Sequence, residues 1–524
     1  MTTPHLSKSR YIAGLQCLRR LWLLVNEPPP YEPPAPGSPL DVGQQIGIKA
    51  HLLFPGGVLI DEDPWAHASA TTRTATLMAD GAPAIFEAAF EHEGVRVRVD
   101  VMERLSDGSW GLREVKSSTG PKDYYFDDIA LQVHVLRGAG VTVSSTELIH
   151  VNSAYVRGSN GVDWRGYFAR VDVAAGVEAR LAELPSRLPA MRDCLANSQA
   201  PFIEPGGQCN SPYACEYWAR CTADKPVDWI KYLPRLSEAN AAKLKTLGIE
   251  AVSDIPAGFP LTGAQAAMRE AIISGQPYVT KNLPRLLRPF GPPALYLDFE
   301  AMAPPIPLYE GTRPYQILPF QWSLHEIDGA GMLTHKEFLA DGSDDPRRQF
   351  AETLINALCG SDSPIIVYSA YEQTRLREIA EVFPDLRPSL EAVIARLADL
   401  LPVVRGGVYL AAFDFSFSIK KVAPALCPDF TYDDLDGVAD GGAASTAFLQ
   451  IASGALDAAD EMARLRQQLL AYCERDTFAM VKAHEALRVL ATDGDRQANG
   501  PDLSVAKPEG VASKAGQAHH HDEK

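Results

Sequence analysis

Asp100, Glu114 and Lys116 are the first residues in this chain whose types and spacing could do hydrolytic chemistry. In GLREVK, Glu114 and Lys116 stand two apart and so project from one face of a strand, with Val115 on the other. Ser106-Asp107-Gly108 supplies a turn that pairs residues whose numbers sum to about 215. Asp100 then falls opposite residue 115 or, one register step away, Glu114. Two carboxylates that close resist ionising together, which calls for a shared Mg²⁺ or Mn²⁺, and a neighbouring lysine can neutralise charge building on a scissile phosphate. On the following helix Asp128 and Gln132 are four apart and share a face, so Gln132 is placed to hold the lysine or substrate. The competing reading is a surface hairpin with an ordinary Glu/Lys pair.

Cys17, far upstream, joins Cys209, Cys215 and Cys221, spaced C-x5-C-x5-C. Four thiolates suit tetrahedral zinc or a cubane iron-sulfur cluster. Joining such distant residues closes a long loop and acts as a clamp. Cys194, Cys359, Cys427 and Cys473 read as core or helix residues.

A second acid set lies downstream. Leu295-Tyr-Leu-Asp298-Phe-Glu300 puts two carboxylates on one face of a strand and Phe299 on the other. IIVYSAYEQTRL reads as a buried strand, a turn and a helix with Glu372 in its first turn; in LLAYCERDTFAMV, Tyr472 and Asp476 share a helix face. Asp399 is an alternative third acid. The bland alternative is a few unrelated acids at strand and helix ends.

These residues need elements to hold them. Residues 27 to 40 are proline-rich and read as a loop, Val95 to Ser118 as a hairpin, and residues 226 to 293 as a helical bridge with a serine cap and a Gly248 stop. A second α/β unit opens at Ala294 and closes with an amphipathic helix from Asp460 to Leu490. The composition, 46% hydrophobic and 22% charged, is globular, and 524 residues exceed one ordinary core. The net charge of −17 argues against a surface coated for nucleic acid but leaves room for a local basic groove. No apolar run is long enough to span a membrane and Met1 to Leu24 lacks a signal-peptide cleavage site, so a cytoplasmic location is expected.

In order, GLQCLRRLWL, Gly47 to His51, Asp100, E-x-K, Gln132 and CNSPYACEYWARC resemble the RecB-like branch of the PD-(D/E)XK nucleases, especially CRISPR-associated and helicase-linked members with an iron-sulfur cluster. That family often carries tyrosine four residues after the glutamine, where this chain has Leu136. The resemblance implies that Asp100, Glu114 and the main-chain carbonyl of Val115 bind metal and that His51 is a further ligand. It also makes Lys116 catalytic and assigns Cys17, Cys209, Cys215 and Cys221 to a 4Fe-4S cluster. On its own pattern His51 is also readable as an ordinary helix histidine, and zinc stays open for the cysteines.

The later acids, with D-x-E and Y-x3-D in order, resemble the DnaQ-like (DEDD) 3'-5' exonucleases, with Glu372 where that family usually has aspartate. This resemblance implies that Asp298, Glu300, Glu372 and Asp476 hold two divalent ions while Tyr472 positions water. The pairing of both units, with GTRPYQILPFQWSLH and SIKKVAPALCPDF, resembles a bacterial family of unknown function. KLKTLGIEAVSDIP resembles half of a helix-hairpin-helix, or is a plain helical hairpin.

The expected architecture is therefore α/β: a PD-(D/E)XK nuclease domain over 1–225, a helical bridge over 226–293, a ribonuclease H-like (DnaQ-like) domain over 294–490, and a disordered tail over 491–524 holding His519, His520 and His521. The expected function is metal-dependent hydrolysis of phosphodiester bonds in nucleic acid, with single-stranded or frayed DNA favoured over RNA. RNA processing, or an iron-sulfur nucleic-acid-binding scaffold with one inactive site, is the alternative. No membrane partner is expected, and the residues name no protein partner.

Overall fold

The structure, a computed structural model, describes residues 5–63, 65–456 and 458–499. It is a mixed α/β protein of two units. The first takes the chain up to Ala223 together with Pro305–Gln316; the second takes Asp224–Pro304 and the chain from Ile317 on.

In the first unit β1 (Leu6–Ser7) leads into α1 (Lys8–Gln16) and α2 (Leu18–Asn26), with Cys17 extended between them. Next come α3 (Pro39–Ala50), β2 (Val58–Leu59), α4 (His67–Ala79), β3 (Ala84–His92), β4 (Val95–Arg104), β5 (Trp110–Lys116), α5 (Asp123–Gly138) and β6 (Val143–Val151). α6 (Trp164–Tyr167), β7 (Phe168–Asp172), α7 (Ala174–Leu181), α8 (Leu184–Ala196) and α9 (Trp218–Thr222) complete it. The sheet order is β2-β3-β4-β5-β6-β7, with β1 paired to the start of β4 at Leu6↔Val95.

The expected hairpin is present as β4 and β5. Val95, Val97 and Val99 are buried in alternation with Arg96 and Arg98, and at the turn Gly108 takes the left-handed φ of 82° while the Asp107 carboxylate accepts from the Ser109 N–H at 2.9 Å. Because β6 is parallel to β5, the chain must cross over between them, and α5 makes that crossing. It is apolar around most of its circumference (Ile129, Leu131, Val133, Val135 and Leu136 are buried) because the sheet lies on one side and α1 and α7 on another.

Pro305–Gln316 packs into this unit although it follows a strand of the other. The Arg157 guanidinium donates to the Pro307 carbonyl at 2.8 Å, the Tyr167 hydroxyl to Pro305 at 3.0 Å, and the Tyr315 hydroxyl to Ser117, beside Lys116.

The second unit begins with α10 (Glu238–Thr246), α11 (Gly263–Ser274), β8 (Tyr278–Val279) and α12 (Leu283–Leu287). Ser237 caps α10 by accepting from the Asn240 N–H, and Gly248 just past its end has φ 72°. The bridge is not wholly helical, since β8 pairs with a later strand. There follow β9 (Ala294–Met302), β10 (Leu318–Ile327), β11 (Leu333–Leu339), α13 (Arg347–Leu358), β12 (Ile365–Val367), α14 (Tyr371–Val382), α15 (Arg387–Ile394) and β13 (Leu397–Asp399). α16 (Leu401–Gly407), β14 (Val408–Tyr409), α17 (Ile419–Leu426), α18 (Gly441–Ala452) and α19 (Ala459–Asn499) close the unit, and β14 is the partner of β8.

The main sheet runs β11-β10-β9-β12-β13, with β9, β10 and β11 antiparallel and β12 and β13 parallel to β9. Phe299 packs edge-on against Phe350 of α13, with ring centroids 4.8 Å apart, which turns its neighbours Asp298 and Glu300 to the other face. α19 covers that face: Gln321 of β10 donates to the Leu469 carbonyl at 2.8 Å, and Ser323 bonds Thr477.

Three local expectations change. Pro39 and Leu40 start α3 rather than ending a loop, because Ser38 caps the helix by accepting from the Asp41 N–H. The final helix passes Leu490 and runs to Asn499; the tail beyond it, with His519, His520 and His521, lies outside the described residues. Cys359, expected in the core or a helix, is exposed at the C-cap just past the end of α13. No helix among the described residues is long and apolar enough to cross a membrane.

Candidate active and metal sites

The first acid site grows from the hairpin register. Val101 pairs with Arg113 and Met102 with Leu112, so one further step sets Asp100 opposite Glu114. There the regular ladder stops, and the Asp100 carboxylate instead accepts from the Val115 N–H at 2.8 Å. Glu114 is 1% exposed. The Lys116 ammonium donates to Glu114 at 2.6 Å and to Asp128 at 2.8 Å, and the Gln132 amide donates to Glu114 at 2.7 Å. Burial alone would lower the Lys116 pKa, but Asp128, Glu114 and Asp100 outweigh it and hold this ammonium well above the ordinary lysine value.

Two residues here escaped the sequence reading. Lys8, the first residue of α1, places its ammonium 3.1 Å from both Glu114 oxygens and 3.4 Å from Asp100. Glu87 stands on β3 between the pairs Phe86↔Val101 and Ala88↔Val99, and therefore faces Asp100; its φ is 57°, a left-handed backbone unusual in a strand. Burial first, and Asp100 next, push its carboxyl up to about 7. Neither residue has a local signal: Lys8 arrives through the pairing of β1 with β4, and the kink at Glu87 interrupts an ordinary strand pattern.

Two unit charges about 4 Å apart repel by roughly 4 kcal/mol at an effective dielectric of 20. Asp100, Glu114 and Asp128 coexist because Lys8 and Lys116 lie among them. Three carboxylates against two ammonium groups leave a deficit of positive charge, and Lys8 occupies the position a cation shared by Asp100 and Glu114 would take. The Gln132 side-chain oxygen is buried without a hydrogen-bond partner. This donor set fits a divalent ion.

His51 is not brought into it. Among the described residues it belongs to no trio with ligand atoms within 4.8 Å of one another, and its ring stacks on Phe86 with centroids 3.9 Å apart. Burial lowers its pKa, which leaves it a neutral aromatic packing partner.

Cys17, Cys209, Cys215 and Cys221 converge on one small cavity, lined also by Gln16, Arg19 and Arg20. Gln16 ties the end of α1 to the cysteine loop by donating to the carbonyls of Gln208 and Tyr213 at 2.7 and 2.8 Å. The Cys215 N–H donates to the Cys209 carbonyl at 2.7 Å. All four are free thiols, and burial pushes Cys215 up to about 11. Among the described residues no three of these sulfurs lie within 4.8 Å of one another. Tetrahedral zinc with Zn–S near 2.3 Å would need sulfurs about 3.8 Å apart. The two arginines supply positive charge where thiolates would gather.

In the second unit one ligand atom each from Asp298, Glu300 and Cys473 lie within 4.8 Å of one another. Tyr472 is fully buried, and burial, then Asp476, Glu300 and Asp298, raise its pKa far above the ordinary phenol. Asp476 accepts from the Tyr432 hydroxyl at 2.7 Å, and the Lys420 ammonium sits 4.9 Å over the Tyr472 ring. Tyr432 lies in a loop with no periodicity, so pattern alone could not have found it, and Cys473, read as a core or helix residue, is both buried and on the final helix. Glu372 is buried at 3% exposure in the first turn of α14, after the C-terminal end of β12, but does not join Asp298 and Glu300 at ligand spacing among the described residues. Asp399 ends β13 and accepts from the N–H of Leu401, the first residue of α16, at 2.9 Å.

A sequence profile described as a domain of unknown function (DUF2779) matches residues 295–418, which include Asp298, Glu300 and Glu372 but neither Tyr472 nor the first acid site. No curated protein matches the chain.

Proposed function

We propose that the protein is a metal-dependent nuclease that hydrolyses phosphodiester bonds, with DNA, single-stranded or frayed, as the favoured substrate. The observation that carries this reading is the first acid site: the Lys8 ammonium reaches both Asp100 and Glu114, on neighbouring strands, and the Lys116 ammonium lies 2.6 Å from Glu114. Asp100, Glu114 and the Val115 carbonyl would hold Mg²⁺ or Mn²⁺, which when bound supplies Lewis-acid stabilisation to the scissile phosphate. Lys116 contributes a fixed positive charge beside the reacting phosphate, Asp128 keeps it aimed, and Gln132 holds Glu114 in its rotamer. The meander, the crossover helix and the parallel β6 support a PD-(D/E)XK core for the first unit.

For the second unit, the strand order with a three-strand antiparallel meander and two parallel strands supports the ribonuclease H-like reading. Asp298, Glu300, Glu372 and Asp476 are the acids of a 3'-5' exonuclease site in this proposal, and Tyr472 would position water. The cysteine cavity is assigned to a 4Fe-4S cluster held by Cys17, Cys209, Cys215 and Cys221, a reading that their shared cavity supports and that the sequence resemblance favours over zinc. Its part is structural.

The test is cleavage of end-labelled single- and double-stranded DNA and RNA with Mg²⁺, Mn²⁺ or EDTA. Lys116→Ala is expected to keep the fold and lower one cleavage activity by about 10²- to 10³-fold, the usual cost of one preorganised charge donor. Cleavage at the wild-type rate on every substrate would reduce the hairpin to a structural element.

A further inference from the structure

Away from the acids proposed for catalysis, one ligand atom each of His325, His335 and Glu474 lies within 4.8 Å of the other two. His325 on β10 and His335 on β11 are a directly opposed cross-strand pair, with ring centroids 4.5 Å apart, and Glu474 reaches them from α19.

Hydroxyls hold one nitrogen of each ring. His325 Nδ1 is hydrogen-bonded to Thr477 Oγ1 at 2.8 Å, His335 Nε2 to Ser323 Oγ at 2.9 Å, and the two hydroxyls to each other at 2.8 Å. His325 Nε2 and His335 Nδ1 stand outside this hydroxyl network. His335 Nδ1 lies 3.9 Å from a Glu474 carboxylate oxygen. His325 is 4% exposed.

Two imidazoles and a carboxylate thus bring one ligand atom each to a common point, where a cation would offset their crowding. We propose that His325, His335 and Glu474 form a binding site for a divalent transition metal of the zinc class. Two imidazoles and a carboxylate suit Zn²⁺ and its neighbours rather than Mg²⁺ or Ca²⁺, and hydroxyls that orient the imidazoles are the usual second layer of such sites. Three protein ligands leave a fourth position for water or a substrate oxygen.

The experiment counts zinc on the metal-stripped full-length chain after dialysis against Zn²⁺ with a weak competing chelator. Wild type, His335→Gln and Glu474→Gln are compared, and circular dichroism checks each fold. Glu474 is half-exposed, so its variant tests the site with little risk to packing. The cysteines and the other acids contribute equally to all three proteins, so the difference isolates this site. Each variant is expected to hold one equivalent less than wild type. Equal zinc in all three would overturn the assignment and leave a hydrogen-bonded histidine pair facing a carboxylate.

Discussion

Glu87 and Lys8 are the residues where tertiary structure adds most to the first site. Glu87 is desolvated opposite Asp100, and its carboxyl is raised from an ordinary 4.5 to about 7. A raised acid binds its proton more tightly in the folded chain, so stability falls as pH rises from the unfolded value through about 7 and is level above it. A rise of that size is worth roughly 3 kcal/mol. In chelator-treated protein, Glu87→Gln is expected to flatten that slope and to be more stable than wild type at pH 8. Parallel urea midpoints for the two proteins at pH 5 and pH 8 would contradict this placement. Lys8 carries the opposite sign of argument: it offsets two carboxylates and stands in the cation position. Lys8→Met should cost about 2 kcal/mol without metal, below the figure for a fully buried pair because the side chain is 22% exposed, and should tighten Mn²⁺ binding on the order of tenfold. Calorimetric titration reads the affinity; weaker Mn²⁺ binding in the variant would mean that Lys8 helps rather than competes. Of this site, Asp100, Glu114, Lys116 and Gln132 were legible because a tight turn fixes register and a helix fixes four-residue spacing. Lys8 and Glu87 were not, since one depends on a distant strand pairing and the other on a backbone kink that no residue type announces.

At the scale of elements, α1 joins the two features of the first unit. Lys8 begins it at the acids, and Cys17 caps its other end at the cysteine cavity. A clamp between Cys17 and the later cysteines closes a loop of most of the unit, worth roughly 5 kcal/mol in the chain-entropy view. Protein purified without oxygen is expected to be brown with about four iron atoms per chain, and Cys215→Ser to lose the colour and lower the melting temperature of this unit. Stoichiometric zinc without iron in anaerobic protein would replace the cluster assignment. The spacing of the cysteines was readable, but their convergence depends on Gln16 reaching the carbonyls of Gln208 and Tyr213, contacts between segments far apart in the chain. On β9 and α19 the alternation of Asp298 and Glu300 and the four-residue step from Tyr472 to Asp476 were equally legible, because both are periods of one element.

At the scale of the molecule, the sequence suggests a cut near residue 225, whereas the first unit also takes Pro305–Gln316, held through Arg157, Tyr167 and Ser117. Nothing in the composition of that segment marks it as belonging elsewhere, so any dissection of the two sites belongs in the full-length chain. Point substitutions serve that purpose, since each acid set sits on its own sheet. Asp298→Ala removes one carboxylate of the second site and leaves the hairpin of Asp100, Glu114 and Lys116 untouched. Losing one acid of a two-metal site disrupts the clamp on both attacking and leaving oxygens. The expected outcome is loss of stepwise 3'-end digestion in Asp298→Ala, with Lys116-dependent cleavage retained at wild-type rate. The products are resolved on a sequencing gel from a 5'-labelled strand. A single-nucleotide ladder that persists undiminished in Asp298→Ala, and again in Asp476→Ala, would make the second unit a fold without catalysis and assign all hydrolysis to the first.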